Sequence, residues 1–375
     1  MTVFYLLTFV VCGAYFLLMI SYLIGWNKTK NYTVKPAISN QQSETKASII
    51  IPARNEEAII FRCLTSIKKQ LHPSSSFEII VVDDHSTDRT AMVVGNLNIP
   101  NLKLIRLSEN EYGKKQAITS GIKNASGQLI ITTDADCEMG EKWLSTIVCF
   151  YEENKSKMIV APVILKEDNG LLTGIQSQEM IALTASACGS LYYNVPTLCS
   201  GANLIYERSA FIAANGFEGV DATSTGDDVF LMLKIQDKFP GSIKYLKSSD
   251  AAVFTLPEKK TFSVISQRKR WASKTFLYKH TQVIGVAVLV FFTNFLILLS
   301  GLLSAINYKF AYTFLIAFCL KCIIDFMFLF STSSFFGKHL NPVLFIISSL
   351  IYPIYVTAVG LIAPFSSYNW KGRKS

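Results

Sequence analysis

The sequence predicts an α/β fold, a doubly wound and mainly parallel sheet, flanked by apolar segments long enough to cross a membrane. Three observations predict it. Four short runs rich in β-branched residues alternate with helical patterns over residues 48–133, the rhythm of parallel strands joined by helical crossovers. Three of those runs end in charged residues, Arg54 and Glu56, Asp84, then Asp134 and Asp136, at the edge where such sheets bind ligands. Half of the 375 residues are apolar and the mean hydropathy is +0.32, too high for an ordinary soluble chain, with the excess at the two ends.

In order, residues 3–26 carry no charge and are long enough to span a bilayer. A cleaved signal peptide fits less well: no Lys or Arg precedes the run, no small-residue cleavage site follows, and the run is too long. Residues 27–47 are polar and read as a linker. Ser48-Ile49-Ile50-Ile51-Pro52 is a buried strand stopped by proline, and Ala53-Arg54-Asn55-Glu56-Glu57 leads into a helical pattern through Ile59, Ile60, Leu64 and Ile67. The second strand, residues 77–82, ends in Asp83-Asp84-His85-Ser86-Thr87-Asp88. A helix is expected from Asp88, capped by Ser86 or Thr87. Residues 102–107 form a third strand, 114–125 a helix and 129–133 a fourth strand. That last run breaks off into Asp134 and Asp136, spaced i, i+2. At a strand end, two short acids so spaced can converge on one hard cation, which in turn binds phosphate oxygens; taken alone, they could equally be solvated turn residues. No glycine-rich phosphate loop is present, so a divalent metal must help neutralise a bound diphosphate.

After Trp143 the pattern loosens into mixed elements to about residue 255. Ser200-Gly201-Ala202-Asn203 is a small-residue turn before the apolar run Leu204-Ile205-Tyr206. Thr225-Gly226-Asp227-Asp228 precedes helical spacing over residues 229–235, where acids also serve simply to cap a helix. Residues 259–280 are strongly basic with interleaved aromatic and aliphatic residues, as in an amphipathic helix lying on anionic headgroups. Nucleic acid would use the same charges, but the adjoining apolar stretch makes the membrane the simpler partner. Residues 281–308, 310–330 and 343–364 complete a count of four spans, the third containing Lys321 and Asp325 and the fourth Pro353. The pair at i, i+4 reads as mutual neutralisation or as the lining of a path for a lipid's polar head. Lys28, Lys30 and Lys35 on one side, and Arg268, Lys269, Arg270, Lys274 and Lys279 on the other, mark the middle region as cytoplasmic. The basic tail (Lys371, Arg373, Lys374) conflicts with this, because three spans would place it across the membrane. Eight scattered cysteines form no framework, and the one CxxC (Cys319, Cys322) lies inside a span, as expected of small buried hydrophobes in a reducing compartment.

As an ordered set, residues 49–57 (IIIPARNEE), 81–90 (VVDDHSTDRT), Gly113-Lys114, 134–136 (DAD), 200–203 (SGAN), 226–228 (GDD) and 267–271 (QRKRW) resemble the membrane-anchored family 2 glycosyltransferases with a GT-A fold. The resemblance covers about residues 48–280. It implies that Pro52, Ala53, Arg54, Glu56 and Lys114 line the nucleotide-sugar pocket and that Asp84 contacts the base. Asp134 would sit by the ribose and diphosphate, and Asp136, with Asp134 beside it, would hold Mg2+ or Mn2+. Asp228 aligns with the catalytic base. Asp227, which would contact the acceptor, stands where the family has Glu and is one methylene shorter. Gln267, Arg268 and Arg270 would close over the diphosphate, and Trp271 would stack on the acceptor. The implied organisation is a membrane anchor (1–26), a linker (27–47), a GT-A domain (48–257), an interface segment (258–280), about three spans (281–364) and a basic tail (365–375).

The expected activity is inverting, metal-dependent transfer from a nucleotide sugar, a UDP-sugar first, to a lipid or lipid-linked acceptor at the cytoplasmic face of the cell membrane. One base and no assigned nucleophile fit inversion. A processive polysaccharide synthase of the same family is the alternative, since QRKRW also marks those enzymes. A catalytically inactive sugar-nucleotide-binding subunit is a third reading, though no chemical position is missing.

Overall fold

The computed structural model describes residues 1–34, 44–166, 170–219, 226–363, 369–370 and 373–374. Lys35, Thr225, Pro364 and Lys371, named above, lie outside the described residues. The chain forms two compact units. One comprises Met1–Thr29, Glu167–Thr197 and Pro257–Tyr368; the other Lys30–Lys166, Leu198–Leu256 and Asn369–Ser375. Residues 167–197, inside the stretch expected as the GT-A domain (48–257), fall in the first unit.

The second unit is built on a seven-stranded sheet. Strands β1 (Ala47–Ala53), β2 (Phe77–Asp83), β3 (Leu102–Arg106) and β4 (Leu129–Thr132) are parallel in the order β3-β2-β1-β4, as the alternation predicts. Beyond β4 the sheet continues through β8 (Leu204–Glu207), antiparallel to β4, then β6 (Met158–Val160) and β9 (Ile243–Tyr245). A small sheet joins β5 (Glu138–Met139), β10 (Val253–Thr255) and β7 (Val163–Leu165). Because β1, β2 and β4 are buried on both faces, they read as continuous apolar runs. Helix α2 (Ile60–Lys68) buries Ile60, Cys63, Leu64 and Ile67, one stripe at helical spacing, in a core shared with Ile49 and Ile51. On α4 (Lys114–Lys123), Gly121 lies against β1: a Cβ there would come 2.6 Å from Ile50 Cγ2, so only glycine lets the helix sit this close. Helices α3 (Thr90–Gly95), α5 (Trp143–Asn154), α7 (Arg208–Ala213) and α8 (Asp227–Lys238) complete this unit.

Two expectations for the second unit are corrected. The helix after β2 starts at Thr90, with Arg89 and not Ser86 or Thr87 at its N-cap, and Asp88 Oδ1 accepts the Thr90 N–H at 2.9 Å. Asp88 Oδ2 also accepts the Glu57 N–H, so a carboxylate with two oxygens satisfies two turns where a hydroxyl would satisfy one.

The first unit contains α1 (Thr2–Lys28), α6 (Leu171–Tyr192), α9 (Thr261–Ala272), α10 (Thr281–Leu303), α11 (Lys309–Ser333) and α12 (Pro342–Ile362). Among the described residues, four helices are long and apolar enough to cross a membrane: Thr2–Lys28, Thr281–Leu303, Lys309–Phe336 (α11 with the short turn after it) and Pro342–Ile362. Helix α1 buries Thr8, Cys12, Tyr15, Met19, Tyr22 and Trp26, alternating four and three residues apart, the seam of a helix packed lengthwise on neighbours. It meets α6 backbone to backbone, since a Cβ on Gly25 would come 2.4 Å from the Gly189 carbonyl oxygen. The amphipathic helix expected over 259–280 is shorter: α9 stops at Ala272 and a tight turn, Thr275–Leu277, follows.

Candidate active site

The site grows from turns at the carboxyl ends of β1 and β2. Asn55 and His85 adopt left-handed backbone conformations (φ 53° and 54°), which turns two loops toward each other. They interlock reciprocally: the Asn55 N–H donates to Ser86 Oγ at 3.0 Å, and the Thr87 N–H donates to Asn55 Oδ1 at 2.8 Å. The Glu56 N–H donates to Thr90 Oγ1, and the Arg89 N–H to Glu57 Oε2. Arg54 donates from Nη1 to the carbonyls of Asp84 (2.7 Å) and His85 (3.2 Å), and the Asp84 N–H donates to the Ala53 carbonyl. Pro52, Ala53, Arg54, Glu56 and Asp84 are therefore brought together. Much of IIIPARNEE and VVDDHSTDRT is architecture for that junction. His85 stacks on Tyr112 with ring centres 4.8 Å apart.

Asp84 Oδ2 accepts the Gly113 N–H at 3.1 Å, which ties the first cluster to the start of α4. The next residue, Lys114, extends into the second cluster. Its Nζ donates to Asp134 Oδ1 at 2.6 Å and lies 3.9 Å from Asp227 Oδ2. Burial disfavours the Lys114 charge, but Asp134 and Asp227 outweigh it and raise the pKa, so the ammonium stays protonated. Asp228, in the first turn of α8, accepts the Gly201 N–H at Oδ2 (3.1 Å) and its neighbour Val229 N–H at Oδ1 (2.8 Å). Asp136 is held by Thr255, whose hydroxyl donates to Oδ2 at 3.1 Å. Burial, and then the adjacent Asp134 charge, raises the Asp136 pKa.

Asp134, Asp136, Asp227 and Asp228 thus surround one lysine, and Asp84 is one residue removed. Gln267, Arg268, Arg270 and Trp271 all lie on α9 in the first unit. Two members of the site carried no assigned role in the sequence. Gly201 was visible in the SGAN turn: a Cβ there would lie 3.4 Å from both Asp227 Oδ2 and Lys114 Nζ, so its smallness keeps the approach open. Thr255 left no signal, being one threonine on a three-residue strand. Asn203 of the same turn is structural, donating from Nδ2 to the carbonyls of Pro162 and Ala251 and accepting Trp143 Nε1.

A family model, glycosyl transferase family 2, matches residues 48–213, from β1 through α7. The chain carries a family 2 glycosyltransferase domain. Relatives agree with this. The poly(ribitol-phosphate) beta-N-acetylglucosaminyltransferase TarS of Staphylococcus aureus is 33% identical over 126 residues, 33% of this chain and 22% of that protein. The probable glycosyltransferase YdaM of Bacillus subtilis is 25% identical over 285 residues, 71% of this chain and 66% of that protein. The chain therefore spans less than two thirds of either relative. A solved mannosyltransferase of Pyrobaculum calidifontis, in complex with GDP-Man and Mn2+, superposes with TM-score 0.58 at 17% identity, covering 96% of this chain and 99% of its own, and shares the fold. The mixed sheet of mostly parallel strands is GT-A-like.

Asp227, Asp228 and Thr255 follow the matched part of the family 2 domain and join it through Lys114, Gly201 and Asp136. The donor set fits a hard divalent ion. Asp134 and Asp136 offer only oxygens, one residue apart, and burial first, then the neighbouring Asp134 charge, raises the Asp136 pKa where Lys114 already supplies positive charge. Among the described residues no three His, Cys, Asp or Glu side chains form a ligand group, so an ion held by this pair would complete its shell from a diphosphate and water.

Proposed function

We propose that the chain is an inverting, divalent-metal-dependent glycosyltransferase. It moves a sugar from a nucleotide donor, a UDP-sugar first, to a lipid or lipid-linked acceptor at the cytoplasmic face of the cell membrane. The observation that carries this reading is the cluster of Asp134, Asp136, Asp227 and Asp228 around Lys114 at the strand ends. An acceptor hydroxyl attacks the anomeric carbon as its bond to the diphosphate oxygen breaks. Asp228 takes the hydroxyl proton, and the nucleoside diphosphate leaves with the bonding electron pair. Backbone N–H groups on both Asp228 oxygens hold the carboxylate facing one way. Lys114 stabilises the charge developing on the leaving diphosphate. Asp136, aligned by Thr255, and Asp134 would hold Mg2+ or Mn2+, which when bound neutralises the diphosphate.

The named activities of relatives support a glycan or lipid acceptor, and the GDP-Man and Mn2+ complex of the Pyrobaculum neighbour supports a nucleotide-sugar donor and a divalent ion. Four helices able to cross a membrane favour an acceptor that itself resides there. QRKRW keeps polymerisation as the second reading, and product length separates the two: single-sugar lipids for transfer, a ladder for polymerisation.

The test uses the purified full chain. Asp136→Ala should lose Mn2+-supported UDP binding. Asp228→Asn should retain that binding and lose transfer by about a hundredfold or more, the scale of a lost general base. Normal turnover by Asp228→Asn would refute the base assignment.

A further inference from the structure

The first unit holds an ion pair that the reaction above does not use. Glu179, the only charged residue of α6, accepts from Arg268 Nε at 3.0 Å and from Nη2 at 2.6 Å, a forked contact. Both side chains are nearly sealed, at 4% exposure for Arg268 and 14% for Glu179. The third guanidinium nitrogen, Nη1, donates to the side chain of Gln267. The guanidinium plane also lies over the Trp271 ring, 4.3 Å from its centre. Tyr355 of α12 sets its hydroxyl beside both charges.

Arg268 therefore ties Gln267 and Trp271 to each other and to α6. All three of its nitrogens are engaged inside the first unit. The guanidinium is rigid and planar, so whatever fixes it also fixes the ring stacked on it. Glu179 does the fixing, from a different helix.

We propose that Glu179 is a positioning residue: through Arg268 it fixes Gln267 and Trp271 in the conformation in which QRKRW meets the acceptor. This rests on the reading of QRKRW as facing acceptor and diphosphate. A pair that merely stapled α9 to α6 would be replaceable by apolar side chains of similar size, because buried ion pairs seldom add net stability over such replacements. A positioning pair would not be replaceable.

The test is 19F NMR of the full chain in detergent with 5-fluorotryptophan at its four tryptophans, the Trp271 signal assigned by Trp271→Phe. Glu179→Gln should displace the Trp271 resonance alone, and Glu179→Asp should keep it near its original position. The double variant Glu179→Leu with Arg268→Met removes both charges and so tests the case in which the single variant fails to fold. It should leave the other resonances in place and still displace that of Trp271. Transfer from UDP-glucose into dioleoylglycerol vesicles should then show an acceptor KM raised about tenfold with donor KM unchanged, the signature of lost acceptor alignment. The proposal is overturned if the Trp271 resonance stays put in both variants, if the double variant restores acceptor KM, or if every resonance collapses in both. Should the wild type transfer from no nucleotide sugar while the Trp271 displacement is seen, the positioning holds and the function proposed above falls.

Discussion

At Lys114 a single ammonium stands between acids that arrive from the end of β4 and the start of α8, almost a hundred residues apart in sequence. Its charge permits Asp134 and Asp227 to face each other, with Asp136 close behind. Lys114→Met keeps most of the side-chain volume and removes that charge. The variant should lose about 1–3 kcal/mol of stability; a fully buried unpaired charge would cost more, but Asp134 is partly exposed and water screens it. If the acids form a divalent-ion site, millimolar Mn2+ should raise the melting temperature of Lys114→Met more than that of the wild type, because the ion replaces the missing charge. Thermal unfolding with and without MnCl2 measures this directly. Equal responses would mean that the cluster takes no ion.

At the opposite end of the strands, Glu78 shows how one carboxylate joins three elements. On β2, it accepts from Ser48 of β1 at 2.7 Å, from the N–H and hydroxyl of Ser126 just before β4, and from Lys103 of β3 at 2.6 Å. Burial disfavours its charge, but the hydrogen bonds from Lys103, Ser126 and Ser48 outweigh that and lower its pKa from 4.5 to about 2. Between those values the folded chain binds fewer protons than the unfolded one, so the stabilisation is complete above about pH 4.5 and fades as pH falls to about 2. A shift of this size corresponds to about 3 kcal/mol. Glu78→Gln should thus melt well below the wild type at pH 7, and the gap should close as both are titrated toward pH 2–3. A gap that did not change with pH would assign its origin to packing. In the sequence, β1 to β4 were legible because a doubly buried parallel strand is a run of β-branched residues, a local property. The convergence of Asp84, Asp134 and Asp136 followed from strand order and was equally legible. Three things were not. Helix α6 mixes Gln, Ser, Thr and Glu with apolar residues and packs on several sides, so no amphipathic stripe marks it. The antiparallel insertion of β8 between β4 and β6 depends on pairing partners far away in sequence. The hold of Glu179 on Arg268 spans 89 residues and two helices.

At the scale of the apolar helices, their directions bear on what charge and span counting left in conflict. Asn307, just before α11, donates to Met1 Sδ at 3.9 Å, and Ser331 near the end of α11 donates to Asn27 at 3.1 Å, so α1 and α11 run parallel. Helix α10 runs against them. So does α12, which starts beside the end of α11, where Lys338 reaches Ser177 of α6 at 3.4 Å. One end of this bundle therefore gathers Lys28, Lys279 and Lys338, and at the other end lies Lys309. By the excess of basic residues, the richer end is the one expected in the cytoplasm. Helix α12 is continuous through Pro353, and its 21 residues reach about 30 Å, the thickness of a hydrocarbon core. Helical continuity and length thus favour a crossing, and Ala363 should lie across the membrane from Lys28. Reporters fused after Ala363 and inserted after Lys28 check this: alkaline phosphatase should be active only at the first site and green fluorescent protein bright only at the second. The same response at both sites would mean that α12 enters the bilayer without crossing it.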